Sequence, residues 1–182
     1  MGSVEQLRQT LDKIENAEHC LFTLSDLQAA LPELSPGAFK ILLSRAQKKN
    51  ILKRICRGLY VYPSRYQSTG LVLFHAAARL RAHEFNYISL ETALSDAGVI
   101  SQIPMNWITV MSSGRTQTID CGNYGHIEFI HTKKNPEALQ GRLSYDKRCR
   151  LWRANTSLAI ADMKHTRRNL DLIDRSIENE PV

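Results

Sequence analysis

Apolar residues recur at helical spacing through the first third of the chain and at strand spacing through much of the remainder. Leu7, Leu11 and Ile14 form the stripe of a first amphipathic helix over Val4 to Glu15, with Gln6, Arg8, Asp12 and Lys13 off that stripe. The short run Cys20 to Thr23 reads as a strand or extended lead-in, and Ser25-Asp26-Leu27-Gln28 as the capping box of a second helix carrying Leu27, Ala30 and Leu31. Pro32 to Leu34 breaks that helix. Ser35 then fits an N-cap and Pro36 a first helical position, opening a third helix whose Phe39, Leu42, Leu43 and Ala46 share one buried face. Gly37, Ile41, Ser44 and Lys48 are left on the opposite face, with Lys40 and Arg45 beside them and Lys49 close behind. After Asn50 the composition turns β-branched and aromatic. Ile51 to Ile55 and Leu59 to Tyr62, separated by Cys56, Arg57 and Gly58, predict a two-stranded hairpin.

Ser64 to Gly70 is polar and reads as a linker, dividing an N-terminal domain (1–65) from a second one (70–182). Leu71 to Phe85 is apolar on most faces and predicts a buried central helix, with His75, Arg79 and His83 along one polar edge. Ser89 is placed to cap a further helix whose Leu90, Ala93, Leu94 and Ala97 face the core and which Gly98 ends. Trp107 to Ser112, Thr116 to Cys121 and His126 to His131 are β-prone and separated by turn residues, which predicts a three-stranded antiparallel meander. A basic segment follows (Arg142, Lys147, Arg148, Arg150, Arg153), then helical patterns at Leu158 to Met163 and Leu170 to Ile177. The expected class is α+β: an N-terminal winged helix-turn-helix, then a second α+β domain with a small antiparallel sheet and C-terminal helices.

Charge sharpens this picture. The formal net charge is only +6, yet from Leu34 to His83 there is no Asp or Glu, while ten Lys and Arg fall in that span. A one-signed block on one surface suits a polyanion, because each neutralised phosphate releases condensed counterions. In a winged helix-turn-helix the second helix of the pair enters the major groove of double-stranded DNA. Lys40, Ser44 and Arg45 are then the candidates for base edges. Ile41 either touches a thymine methyl or packs beneath the hairpin. Lys48, Lys49, Lys53, Arg54 and Arg57 are the candidates for phosphate contacts.

Other chemistry finds little support. Cys20, Cys56, Cys121 and Cys149 are scattered, with no CxxC pair, so neither a metal site nor a disulfide framework is expected. Neither an apolar leader nor a run of 18 apolar residues occurs, which points to a cytoplasmic protein without a membrane partner. Asp120 and Glu128 sit on neighbouring predicted strands like a nuclease carboxylate pair, but Ile130 stands where such a site usually carries lysine. His126 and His131 should point to opposite faces of their strand. With no phosphate loop and no nucleophile elbow, no catalytic residue is assigned; no enzyme activity and no cofactor are expected.

Taken in order, CRGLYVYP, YISLETALSDAGVI with IPMNWITVMSSGR, GHIEFIHT and ADMKHTRRNLDLID resemble the AbiEi family of antitoxins from bacterial abortive-infection, type IV toxin-antitoxin pairs used in phage defence. The resemblance implies an N-terminal winged helix-turn-helix that binds and represses the operon's own promoter. It also implies a following domain that counteracts a nucleotidyltransferase-like toxin. By position the family's wing motif falls on Arg57, Gly58 and Tyr60, and its second-domain motif on Tyr87, Ser89, Leu90, Ala93, Leu94, Gly98 and Ile100. Where many relatives open a late helix with proline-glutamate-arginine, this chain has Ala154-Asn155-Thr156-Ser157. A stand-alone winged-helix regulator, with a ligand-sensing or assembly domain, is the alternative.

Overall fold

A computed structural model describes residues 3–14, 20–64, 66, 69–101 and 106–173. The chain divides into two compact units, Met1–Val72 and Leu73–Val182.

The first unit packs three helices on a small antiparallel sheet. Helix α1 (Ser3–Ile14) is followed by β1 (Leu21–Thr23), α2 (Leu24–Ala29), α3 (Pro36–Lys48), β2 (Lys53–Cys56) and β3 (Leu59–Val61). The strand order is β1-β3-β2, with Tyr60 of β3 opposite both Phe22 and Arg54. Leu7, Leu11, Leu27, Leu42, Ala46 and Leu52 are buried at the centre of its core. At its edge the Tyr62 hydroxyl donates to Asp12 at 2.6 Å, tying α1 to the end of β3.

Three local expectations shift. The buried stripe of α1 is Val4, Leu7 and Leu11, while Ile14, a full turn further round, is exposed. The capping box is built by Thr23 and not by Ser25. The Thr23 hydroxyl accepts from the Asp26 amide, and the Asp26 carboxylate accepts from the Thr23 amide at 2.7 Å, so α2 begins at Leu24 with Ser25 inside its first turn. Strand β2 also starts two residues later than predicted, because the amides of Ile51 and Leu52 are still bonded to the Ala46 carbonyl at the end of α3.

The second unit is built on a six-stranded mixed sheet of order β6-β7-β5-β4-β9-β8. Its elements are α4 (Val72–Leu80), β4 (Asn86–Ile88), α5 (Leu90–Asp96), β5 (Trp107–Ser112), β6 (Gln117–Asp120), β7 (His126–His131), β8 (Leu143–Asp146), β9 (Leu151–Ala154) and α6 (Thr156–His165). The three β-prone runs do form strands, but they are not a meander. β7 pairs parallel with β5, Trp107 opposite His126 through Ser112 opposite His131, and β6 lies outside β7. Burial explains the order: Ile127 and Phe129 of β7 need cover on both sides, whereas Gln117, Thr118 and Asp120 of β6 are exposed and suit an edge. The short β4 and the polar pair β8 and β9 complete a sheet twice as wide as the one expected.

Tyr87, Met111 and Trp152 share one face by register, and α5 and α6 lie over it. On the other face the Arg81 guanidinium, just beyond the end of α4, sits 3.9 Å from the centre of the Phe129 ring. α4 ends at Leu80, so His75, Arg79 and His83 do not form one polar edge: His75 is buried, Arg79 half-buried, and His83 exposed in the following turn. The helical pattern at Leu170 shrinks to one 3-10 turn, Leu170–Leu172, and Ile177 lies outside the described residues.

Candidate nucleic-acid interface

The third helix presents the arrangement that its spacing predicts. Ser35 accepts from the Ala38 amide, Pro36 takes the first turn, and Phe39, Leu42, Leu43 and Ala46 are buried. Lys40, Ile41, Ser44, Arg45, Lys48 and Lys49 are exposed. Ile41, at 54% exposure, is not packed under the hairpin.

The hairpin is held next to this helix by backbone geometry. Asn50 turns the chain in the left-handed region at φ +54°, which asparagine tolerates better than most residues, and the Ile51 amide returns to the Ala46 carbonyl at 2.9 Å. At the hairpin's tip Gly58 adopts φ +81°, and its carbonyl accepts from the Leu24 amide at 3.1 Å. The tip is thereby tied to the start of α2. Lys53, Arg54 and Arg57 are exposed on the hairpin, and Arg54 Nε bonds the Cys56 carbonyl at 3.2 Å, holding that side chain along its own strand. All nine residues singled out from the sequence lie exposed on this one unit. Among the described residues no carboxylate forms an ion pair with Lys40, Arg45, Lys48, Lys49 or Arg57.

The second unit contains polar clusters with no signature in the sequence. Asp162 on α6 is fully buried and accepts from Ser89 Oγ at 2.7 Å, the Tyr87 hydroxyl at 3.0 Å and Lys134 Nζ at 2.6 Å. Ser89 therefore bonds α6 and makes no side-chain cap on α5. Burial, then the Asp162 charge, drive the Tyr87 hydroxyl well above its ordinary range, so it acts as a permanent donor. Glu128 accepts from Trp107 Nε1 at 3.1 Å and from Arg168 at 2.6 Å, and Arg168 also reaches Glu91. Asp120 accepts from the Gly122 amide at 2.8 Å and faces His126, whose ring stacks on Trp107 with centroids 4.8 Å apart. His131 is exposed. Among the described residues no three His, Cys, Asp or Glu side chains are gathered as metal ligands.

These features define an α+β protein whose first unit displays a basic helix face beside a short hairpin. Residues 9–63, which contain that helix and hairpin, match the family described as "Transcriptional regulator, AbiEi antitoxin". No curated protein matches the chain. None of the helices among the described residues is long and apolar enough to cross a membrane.

Proposed function

We propose that the first unit is a winged helix-turn-helix that binds the chain's own promoter in double-stranded DNA and represses it, and that the second unit counteracts a nucleotidyltransferase-like toxin. One observation carries the DNA-binding half: the exposed face of α3 bears Lys40, Ile41, Ser44, Arg45 and Lys48, with no ion-pair partner for its cations among the described residues. In this reading α3 enters the major groove, Arg45 and Lys40 donate to guanine acceptors, Ser44 bonds a base edge, and Ile41 meets a thymine methyl. Lys48, Lys49 and the hairpin's Lys53, Arg54 and Arg57 grip phosphates. The antitoxin half rests on the family description of residues 9–63.

The chain is read as a binding protein and not as an enzyme. Supporting this, Glu128 is engaged by Arg168 and Trp107, and Asp120 by the turn after β6. A promoter-reporter fusion tests repression: co-expression of the chain should silence it and Arg45→Glu should relieve it, whereas an unaffected reporter contradicts the reading. Rescue of growth on co-expression with a neighbouring nucleotidyltransferase-like protein tests the antitoxin half separately. A free-standing regulator is the second reading, drawn from the words "transcriptional regulator" in the same family description. Its ligand-sensing version loses one proposed site, since His75, Arg79 and His83 do not converge.

A further inference from the structure

Strand β8 closes one end of the six-stranded sheet, and it is unprotected in a way that the opposite edge is not. β6, at the other end, carries polar Gln117, Thr118 and Asp120. β8 instead has Leu143 and Tyr145 on the face it shares with Trp152 of β9, where Tyr145 is 51% and Trp152 44% exposed. Their rings meet edge to face at 5.5 Å, which holds two large apolar surfaces in place facing water. Beside them lies a groove of about 610 Å³, mostly apolar, lined by Phe85, Pro136, Leu139, Leu143 and Trp152, with Glu137 the one charged residue in its lining.

The backbone of β8 is also available. The Asn155 amide donates to the Arg142 carbonyl, and the register runs on through Ser144 opposite Arg153. By the alternation of an antiparallel ladder, Ser144 and Asp146 turn their N–H and C=O toward β9, so those of Leu143 and Tyr145 point outward. Leu143, which lines the groove, and Tyr145, beside Trp152, are thus the residues whose backbone groups are unpaired at this edge among the described residues.

Charge selects the occupant. Lys147 and Arg148 are exposed at one end of β8 and Arg142 is half-exposed at the other. Asp146 does not offset them, because it accepts from Arg153 at 2.9 Å and from the Arg148 and Cys149 amides. An antiparallel pairing of β8 with the same strand of a second copy would bring Arg142, Lys147 and Arg148 of both copies to one seam, crowding like charge. An acidic strand meets no such penalty.

We propose that the β8 edge and the adjoining groove receive an extended acidic segment of a partner protein. Its backbone pairs with Leu143 and Tyr145, an apolar side chain enters the groove against Trp152, and its carboxylates face Arg142, Lys147 and Arg148. The mode is strand addition, in which main-chain bonds supply affinity and pockets for alternate side chains supply specificity. The proposal does not depend on what the first unit binds.

The test uses the full chain and a panel of fluorescent nonapeptides in which Glu or Asp alternates with Leu, Val or Phe, read by anisotropy. At least one acidic member should bind with Kd below about 100 μM, while the Lys-alternating counterparts should not. Backbone N-methylation of the best peptide, Trp152→Ser and the double change Lys147→Glu with Arg148→Glu should each weaken it at least tenfold. Unchanged melting temperatures of the variants show that the loss is local; Tyr145→Thr provides a second reading at an exposed position should Trp152→Ser fail to fold. The absence of any acidic peptide binding with a Kd below about 100 μM overturns the proposal. So does preferential binding of a single-stranded oligonucleotide at these residues, or a stable dimer that the same substitutions dissolve.

Discussion

Asp162 shows what a single buried charge demands. It lies wholly inside the second unit, and its three side-chain donors come from β4, the segment after it and the segment after β7. Removing Lys134 leaves a buried carboxylate without its counter-charge, a change expected to cost roughly 3 kcal/mol. Urea unfolding of Lys134→Ala should show that loss; a shift under about 0.5 kcal/mol would mean that the ion pair contributes little. The exposed side chains of the first unit bear on DNA readout and not on stability under the proposed function. Arg45→Ala should cost about 1–3 kcal/mol of DNA affinity and relax preference at one base position, whereas Lys49→Ala should weaken all sequences alike and lower the salt slope by about one unit. The exposed side chains of α3 were legible in the sequence because Phe39, Leu42, Leu43 and Ala46 fix which face is buried. Asp162 was not, because its partners lie at least 28 positions away in the chain and no local spacing announces them.

At the scale of elements, the capping of α2 separates two nearby hydroxyls. Thr23→Ala removes the box that starts the helix and should destabilise the first unit by about 1 kcal/mol, while Ser25→Ala, exposed in the first turn, should leave thermal unfolding unchanged. Equal effects would place the cap wrongly. The sequence pointed to this helix but shifted its start by two residues, since both Thr23 and Ser25 precede acceptable partners. Strand pairing was harder to read. β5, β6 and β7 were all visible as β-prone runs, yet their order depends on which strand needs cover on both sides, a property of the whole sheet. β4 has only three residues, and β8 and β9 alternate too weakly to stand out beside a basic segment. That segment is itself divided by the fold: Arg153 is spent on Asp96 and Asp146, while Lys147 and Arg148 stay exposed.

The two units also respond differently to their surroundings. His75 is buried in the second unit, 2.6 Å from the Arg148 carbonyl. Burial lowers its pKa from the ordinary 6.5, the carbonyl bond opposing and the Arg150 charge assisting. The unfolded chain therefore binds a proton more readily than the folded one. Stability from this group is complete above about pH 6.5 and is lost as pH falls toward the lower folded value. Melting temperature should drop between pH 7.5 and 5.5, less steeply in His75→Gln; identical slopes would remove His75 as the cause. Under the proposed function the first unit's contribution would instead be governed by salt, since exposed cations that meet phosphates act through counterion release. The central claim is that this basic face reads a particular sequence. It is tested most directly by equilibrium binding of the full chain to its own upstream promoter fragment and to a scrambled duplex of equal length, at two salt concentrations. Preference for the promoter, retained at the higher salt, is the predicted result. Equal, salt-sensitive binding to both duplexes would contradict it and reduce α3 and the hairpin to a nonspecific polyanion surface.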